Sequence, residues 1–122
     1  MIRVLLVDDH AIVRNGIFNL FQDDKDIKFV GEAEDGTGLL MKYSELKPDV
    51  VVTDIAMPNR NGIDAVTSLV RRNKDAKVLF LTQYTDNDFI YQAIKAGGMG
   101  LIGKNVSKQD IEIAIKKVFA GE

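Results

Sequence analysis

The stretch VLLVDDH, residues 4–10, joins an aliphatic run to two adjacent carboxylates, Asp8 and Asp9. The segment from Ile2 to Val7 is short and almost wholly apolar, which predicts a β-strand that is buried on both faces. A core strand that stops in two negative charges is unusual, because carboxylates are costly to bury without partners. The acid pair is therefore expected at a functional edge of the fold.

The rest of the chain alternates between short aliphatic runs and longer segments with helical spacing. Four more strands are predicted, over Ile27–Ala33, Val50–Thr53, Val78–Leu81 and Met99–Gly103. Five helices are predicted, around residues 13–21, 39–46, 63–70, 89–94 and 107–119. This alternation predicts an α/β fold, with a parallel sheet covered by helices on both faces.

Several residues mark where the predicted helices begin and end. The second helix is expected to stop before Pro48, and the fourth at Gly97 and Gly98. Ser107 and Asp110 have the spacing of a capping box, so the last helix is expected to start there.

Composition sets broad limits on function. The chain has 122 residues, 46% of them hydrophobic, which suits one domain with a sizeable core. It has no cysteine, so a disulfide framework and a thiolate metal site are both excluded, and a reducing compartment fits. The net charge is −2, and acidic and basic residues are interspersed, so the sequence lacks the basic character expected of a nucleic-acid-binding domain. No secretory signal or membrane-spanning run is expected.

Polar residues follow four of the five predicted strands at their carboxyl ends. These residues are Asp8 and Asp9 after strand one, Asp54 after strand three, Thr82 after strand four and Lys104 after strand five. The carboxyl ends of parallel strands share one edge, where ligands bind near the topological switch point. We therefore expect the five side chains to converge on one crevice.

This residue set suits phosphoryl chemistry with a divalent cation. Three neighbouring carboxylates repel one another unless a cation lies among them, and Mg²⁺ prefers such oxygen ligands. Thr82 and Lys104 add a hydroxyl and a positive charge that suit phosphoryl oxygens. Each residue alone has a simpler interpretation, such as Asp9 as a helix N-cap. Their joint position at strand ends favours the site. His10 is expected in the turn before the first helix.

The chain resembles, along its whole length, the receiver domain of two-component response regulators. The matching stretches are VLLVDDH, DVVVTDIAMPNRNG at residues 49–62, VLFLT at residues 78–82 and AIKAGGMGLIGK at residues 93–104. The stretch DDHAIVRNGI, residues 8–17, is most similar to the NarL/FixJ type. The resemblance implies a flavodoxin-like, CheY-like doubly wound (βα)5 fold with strand order 2-1-3-4-5.

The resemblance also implies a role for each site residue. Asp54 would accept the phosphoryl group, and Thr82 and Lys104 would bind the transferred group. The Mg²⁺ ligands implied are Asp8, Asp9, Asp54 and the main-chain carbonyl of Ala56. The chain would not be an enzyme beyond promoting its own phosphoryl transfer and slow hydrolysis.

Partners and organisation follow from the same resemblance. Residues 1–122 are expected to be one receiver domain, the N-terminal part of a longer cytoplasmic regulator. A sensor histidine kinase would donate the phosphoryl group, with specificity on residues 13–20 and on the loop after strand five. Phosphorylation would change the surface formed by the fourth helix, fifth strand and fifth helix, with a homodimer as one outcome. Transcription would be controlled through a DNA-binding helix-turn-helix domain that these residues do not include.

Some positions depart from the family pattern and keep alternatives open. Leu101 stands where receivers usually carry a switching aromatic residue, and Gln83 where a small residue is typical. These departures motivate a phosphorylation-independent interaction module of the same fold. A haloacid dehalogenase-type hydrolase is disfavoured because Ile55 and Ala56, and no second acid, follow Asp54. A flavin carrier is disfavoured because the acid pair would repel its phosphate.

Overall fold

The structure is a computed structural model that describes residues 1–55, 62–82, 95–103 and 107–121. Its elements are, in chain order, β1 (Ile2–Val7), α1 (Ala11–Leu20), β2 (Ile27–Ala33), α2 (Gly36–Leu46), β3 (Val50–Asp54), α3 (Gly62–Arg72), β4 (Val78–Thr82), β5 (Gly100–Gly103) and the C-terminal helix (Lys108–Phe119). Among these described elements, no helix has the length and apolar character needed to cross a bilayer.

The five strands form one parallel sheet in the order β2-β1-β3-β4-β5, as predicted. The interior strands β1, β3 and β4 consist mostly of buried aliphatic residues, which suits strands covered on both faces. The order reverses between β1 and β3, so the topological switch point lies there. Strands β3 and β4 each extend one residue beyond the predicted end, to Asp54 and Thr82.

Alternate strand residues face two separate hydrophobic cores. One core packs against α2 and α3 and includes Leu5, Val7, Leu39, Val51, Val66, Leu69, Val78 and Phe80. The other packs against α1 and the C-terminal helix and includes Val4, Leu6, Ile17, Phe21, Val52, Leu79, Leu81, Ile111, Ile115 and Val118. The two cores hold the sheet between two helical layers, with the strand ends at its rim.

Two helix boundaries are where the sequence predicts them. Helix α2 ends at Leu46, followed by Lys47 in the left-handed region at φ 47° and then by Pro48. The C-terminal helix opens with the predicted capping box: the Ser107 hydroxyl accepts from the Asp110 N–H at 3.3 Å, and the Asp110 carboxylate accepts from the Ser107 N–H at 3.4 Å.

The predicted fourth helix, marked by Phe89, Ile90, Ala93 and Ile94, lies outside the described residues. The described chain resumes in helical conformation at Lys95 and Ala96, and Gly97 follows at φ +116°. Gly97 also lies against α3, where a Cβ atom would come within 2.8 Å of Val70 Cγ2. Both conformation and space therefore require glycine at this helix end.

Strand β2 carries a bulge in its ladder with β1. Val4 pairs with Phe29, but the next residue, Leu5, pairs with Gly31, so Val30 is the extra residue. The bulge lies at an edge of the sheet, since β2 is bonded to β1 alone.

The turn from α1 into β2 is organised by the carboxylate of Asp24. Its Oδ1 accepts hydrogen bonds from the N–H groups of Asp26 and Ile27 at 2.8 and 2.9 Å. Its Oδ2 lies 3.2 Å from Lys108 Nζ on the C-terminal helix. Burial alone would raise the pKa of Asp24, but these hydrogen bonds and the lysine outweigh it and lower the pKa below its usual value.

We predict that Gly97→Ala destabilises the protein by about 2 kcal/mol, because the side chain meets both a left-handed backbone and Val70. The matched control is Gly16→Ala in α1, where a Cβ atom would meet nothing within 4 Å. That change should stabilise by about 0.5–1 kcal/mol, since alanine is the better helix former. Urea unfolding measures both, and equal effects of the same sign would contradict the assignment.

We predict that Asp24→Asn lowers the free energy of unfolding by about 1 kcal/mol at neutral pH. A carboxylate whose pKa is lowered on folding stabilises the folded state above its unfolded-state value of 3.8. That stability is lost as the pH falls through the folded-state pKa, so wild type and variant should converge below pH 3.8. Urea titrations across this range give the result, with Asp23→Asn as the neighbouring-acid control. A difference that persists in acid would contradict the prediction.

Candidate functional site

The strand register brings the acidic residues together at the carboxyl edge of the sheet. Val7 of β1 lies opposite Thr53 of β3, so Asp8 and Asp54 follow side by side at the switch point. On the other side of β3, Asp54 lies opposite Leu81, and Thr82 is the last residue of β4. The sheet itself therefore lines up residues that are distant in the sequence.

Four side chains form one cluster at this edge. Asp8, Asp9, His10 and Asp54 each offer a ligand atom, and these atoms all lie within 4.8 Å of one another. Asp8 and Asp54 are almost completely buried, at 0% and 2% exposure, whereas the side chains of Asp9 and His10 are 28% and 52% exposed. The cluster thus has a buried floor and a solvent-facing side.

Asp8 is fixed by its own main chain and by the turn into α1. Its N–H donates to the carbonyl of Ala33 on β2 at 3.0 Å, so the β1 ladder continues to this residue. Its carboxylate Oδ1 accepts from the N–H of His10 at 2.8 Å, as in an Asx turn. The imidazole Nδ1 of His10 lies 3.0 Å from Asp8 Oδ1 and 3.1 Å from Asp9 Oδ1.

Asp54 is fixed at the carboxyl end of β3. Its Oδ1 accepts from the N–H of Ile55 at 2.7 Å, and its main-chain carbonyl accepts from the Thr53 hydroxyl at 3.0 Å. The N–H of Gly62 donates to the carbonyl of Ile55 at 2.7 Å, which ties the first turn of α3 to the end of β3. A Cβ atom at Gly62 would come within 2.0 Å of the Asp54 carbonyl oxygen.

The donor chemistry of the cluster fits a hard divalent cation. Three carboxylates with ligand atoms this close repel one another, and a positive charge among them relieves the repulsion. Carboxylate oxygens are the ligands that Mg²⁺ prefers in proteins. The residues present therefore fit the metal that the sequence predicts.

A family model described as the response regulator receiver domain matches residues 4–116. The chain belongs to this family. Receiver domains of this kind are parts of two-component signalling systems and are not enzymes in the usual sense.

Relatives along the whole receiver domain are bacterial regulators. The response regulator GacA of Pseudomonas viridiflava is 40% identical over 122 residues, which are 100% of this chain and 57% of GacA. The transcriptional regulatory protein LiaR of Bacillus subtilis is 38% identical over 100% of this chain and 58% of LiaR. The chain thus spans little more than half the length of these relatives.

A solved structure shows the same fold. A two-component response regulator of the LuxR family from Aurantimonas sp. superposes with a TM-score of 0.93 at 32% sequence identity. The match covers 100% of this chain and 87% of the other. Together with the strand order, this likeness confirms the predicted flavodoxin-like doubly wound fold.

The predicted site residues of this receiver domain divide into two groups. Asp8, Asp9 and Asp54 come together as expected. Thr82 ends β4, where its main chain lies opposite Gly103 of β5, while its side chain lies outside the described part. The remaining predicted residues, Ala56 and Lys104, also lie outside the described residues, as do the neighbouring positions Met57, Pro58 and Gln83.

The alternative interpretation of Asp9 as a helix N-cap does not hold. The N-cap of α1 is His10, which is in extended conformation and accepts no side-chain capping hydrogen bond. His10 therefore occupies the turn before α1, as predicted, with Asp9 one residue further out. The Asp9 carboxylate belongs to the acidic cluster.

Sequence reasoning missed Arg14, a residue of α1 that contacts the main chain of the acid pair. Its guanidinium Nη1 donates to the main-chain carbonyl of Asp8, and the residue is buried, at 6% exposure. The available signal was spacing: Arg14 precedes Ile17 and Phe21 at helical intervals, so a cation stands on the core face of α1.

A second group of acids, Asp24, Asp26 and Glu112, also has ligand atoms within 4.8 Å of one another. Lysines are interleaved with it. Lys108 lies 3.2 Å from Asp24, and Lys116 lies 3.2 Å from Asp26 and 3.7 Å from Glu112. Hydrogen bonding to Asp26 raises the pKa of Lys116, with the nearby acid charges adding to the effect. This group is an ion-pair network between the α1–β2 turn and the C-terminal helix.

We predict that Gly62→Ala destabilises the receiver domain by about 2–3 kcal/mol, because the added methyl overlaps the Asp54 carbonyl and forces backbone movement. Thermal and urea unfolding measure the loss. Gly16→Ala is the control, because it makes the same change in α1 at a position where a Cβ atom would meet nothing within 4 Å. A stability loss no larger for Gly62→Ala than for the control would contradict the close approach.

Proposed function

We propose that this chain is a Mg²⁺-dependent phosphoacceptor, with Asp54 as the residue that takes the phosphoryl group from a sensor histidine kinase. The observation that carries the proposal is the convergence of Asp8, Asp9 and Asp54 within 4.8 Å at the switch point of the sheet. Asp54 is the acceptor in this proposal because it alone of the three lies on β3, between the acid pair and the end of β4.

The metal would be held by the carboxylates of Asp8, Asp9 and Asp54 and by the main-chain carbonyl of Ala56. When bound, Mg²⁺ supplies positive charge that offsets the repulsion between the acceptor carboxylate and the incoming phosphoryl oxygens. Asp8 is held by the His10 N–H and is almost wholly buried, so its oxygens are positioned before any ligand arrives. Such preorganisation lowers the cost of binding.

In the transfer step, a carboxylate oxygen of Asp54 forms a bond to phosphorus as the bond from phosphorus to the donor histidine nitrogen breaks. The histidine keeps the electron pair of that bond and takes up a proton from solvent. The hydrogen bond from Ile55 N–H at 2.7 Å fixes the rotation of the Asp54 carboxylate for this attack. Burial of Asp54 limits the access of water, which favours slow hydrolysis of the acyl phosphate.

Thr82 and Lys104 are proposed to bind the transferred group. Thr82 ends the strand next to β3, and Gly103, opposite Thr82, is followed in the chain by Lys104. A hydroxyl and an ammonium donor on two neighbouring strand ends suit the oxygens of a dianionic phosphoryl group. Their movement toward it would change the surface formed by the predicted fourth helix, β5 and the C-terminal helix.

The output of this switch is proposed to be control of transcription in a longer cytoplasmic regulator of which these residues are the receiver domain. Two observations support this. LiaR is described as a transcriptional regulatory protein, and this chain matches only 58% of its length, which leaves room in LiaR for a further domain. DNA would be bound through a further domain of that regulator, and phosphorylation would favour a homodimer. Leu101 packs against the core beside α3 and replaces the usual switching aromatic residue, so coupling would pass through Thr82 and Lys104.

We predict that incubation with acetyl phosphate and Mg²⁺ adds one phosphoryl group, visible in the intact mass, and that Asp54→Asn removes the adduct completely. The adduct should also be absent without Mg²⁺, because the acidic cluster repels the donor when no cation screens it. Asp64→Asn, an exposed acid in the first turn of α3, is the matched control and should keep the adduct. Gel filtration of the phosphorylated sample tests the dimer.

An adduct that persists in a folded Asp54→Asn variant would show that another residue is the acceptor. No adduct in the folded wild type would favour the phosphorylation-independent module. In that case Gln83, which follows Thr82, is the first residue to shorten.

A further inference from the structure

Arg14 has an environment that differs from that of every other basic residue in the described ranges. It is the only buried one among them, with 6% of its surface exposed. It lies on the core face of α1. Its main-chain N–H donates to the carbonyl oxygen of His10 at 3.1 Å, so it belongs to the first turn of the helix. A buried guanidinium is costly unless its donors are satisfied, so its contacts identify what it stabilises.

The guanidinium contacts three acceptors at the carboxyl ends of β1 and β2. Nη1 donates to the main-chain carbonyl of Asp8. Nε donates to Glu32 Oε1 at 3.2 Å, and Nη2 lies 3.6 Å from Glu34 Oε1. The planar fork of arginine is thus held by two glutamates around the end of β2 and directed at the carbonyl of the first acid.

These contacts fix the peptide that joins the two acids of the pair. The N–H of Asp8 is held by the Ala33 carbonyl at 3.0 Å, and its carbonyl is held by Arg14. The Asp8 carbonyl shares a rigid peptide plane with the N–H of Asp9. Fixing that plane restricts the direction in which the chain, and with it the Asp9 side chain, leaves β1.

Charge balance allows this cation to lie close to a metal site. An uncompensated guanidinium next to the acid pair would compete with Mg²⁺ for the carboxylates. Glu32 and Glu34 pair with Arg14 and offset part of its charge, so the contact to Asp8 adds less positive charge to the cluster than an unpaired arginine would. The arginine can therefore orient the acid pair while its carboxylates stay available to the metal.

We propose that Arg14 is a positioning residue for the metal site: it sets the Asp8–Asp9 peptide and so the affinity of the acid pair for Mg²⁺. This rests on the proposed function, in which Asp8 and Asp9 hold the metal. Groups that do not touch the metal but hold its ligands by hydrogen bonds change the metal affinity by about 10- to 100-fold when they are removed. Arg14 acts in this way through a main-chain carbonyl.

The test compares Mg²⁺ affinity in wild type, Arg14→Met and Arg14→Lys by isothermal titration calorimetry, with no phosphodonor present. Arg14→Met, which keeps an unbranched apolar stem but removes the guanidinium donors, should weaken binding about tenfold. Arg14→Lys keeps a charged donor and should recover most of the affinity. Phosphorylation by acetyl phosphate should show the same shift in the Mg²⁺ concentration at half-maximal rate, with the maximal rate nearly unchanged.

Arg3→Met is the matched control, because Arg3 makes the same kind of bond at the opposite end of β1. Its Nη1 donates to the main-chain carbonyl of Lys47 at 3.0 Å. This variant should lose some stability and keep wild-type Mg²⁺ affinity. A merely structural role for Arg14 would make the two arginine variants behave alike.

A second variant keeps the proposal falsifiable if Arg14→Met does not fold. Glu32→Gln leaves Arg14 in place but removes the negative charge that pairs with its Nε. The Glu32 side chain is half-exposed, so this change should be tolerated by the fold. It should weaken Mg²⁺ binding about threefold, less than the 10- to 100-fold change expected when an orienting group itself is removed, because Arg14 keeps its bond to the Asp8 carbonyl. Glu45→Gln, on the surface of α2, is its control.

The outcomes separate this proposal from the proposed function. Folded Arg14→Met with wild-type Mg²⁺ affinity, or unchanged affinity in Glu32→Gln, would overturn the positioning role while Asp54 phosphorylation stands. A lower maximal rate with unchanged affinity would overturn it as well. Wild type that binds no Mg²⁺ would overturn the proposed function itself, and the role of Arg14 with it.

Discussion

The parallel pairing of β1 with β3 is the constraint on which the site depends. Val7 lies opposite Thr53, so the next residues, Asp8 and Asp54, reach the edge of the sheet together. A shift of one residue in this register would turn one acid into the opposite face of the sheet. The register is stabilised by the aliphatic cores on both faces, which means that packing far from the edge determines the distance between the carboxylates.

The same edge carries an electrostatic cost that the local backbone reduces. Two buried carboxylates on neighbouring strands are unfavourable, and each has a main-chain N–H to accept from: His10 for Asp8 and Ile55 for Asp54. Both donors lie within two residues of the acid that accepts from them, in the segments that leave the strands. After each acid, the main chain therefore turns so that the N–H of a following residue donates a hydrogen bond to the carboxylate.

Much of the fold could be predicted from the sequence because local and global signals agree. Uninterrupted aliphatic runs indicated buried strands, and the rule for parallel sheets then placed Asp8, Asp9 and Asp54 at one edge. The capping box at Ser107 was recognisable because it is local. The helix expected at residues 89–94 and the roles of Ala56 and Lys104 lie outside the described residues and stay predictions.

The contacts of His10 and Arg14 were harder to predict for a physical reason. The position of His10 before α1 followed from the sequence, but its contact with both acids depends on how the turn folds back on β1. The partners of Arg14 are a main-chain carbonyl and glutamates around the end of β2, which no spacing rule connects to residue 14. Only the tertiary arrangement of α1 against β2 brings these groups together.

The bulge in β2 affects how molecules of this protein can meet. An edge strand exposes a row of main-chain donors and acceptors that invites strands from other molecules, and a regular edge is a template for aggregation. The extra residue, Val30, breaks the spacing of that row in the middle of the strand. A continuous intermolecular sheet is therefore disfavoured at this edge, which reduces the tendency of the folded protein to aggregate through β2.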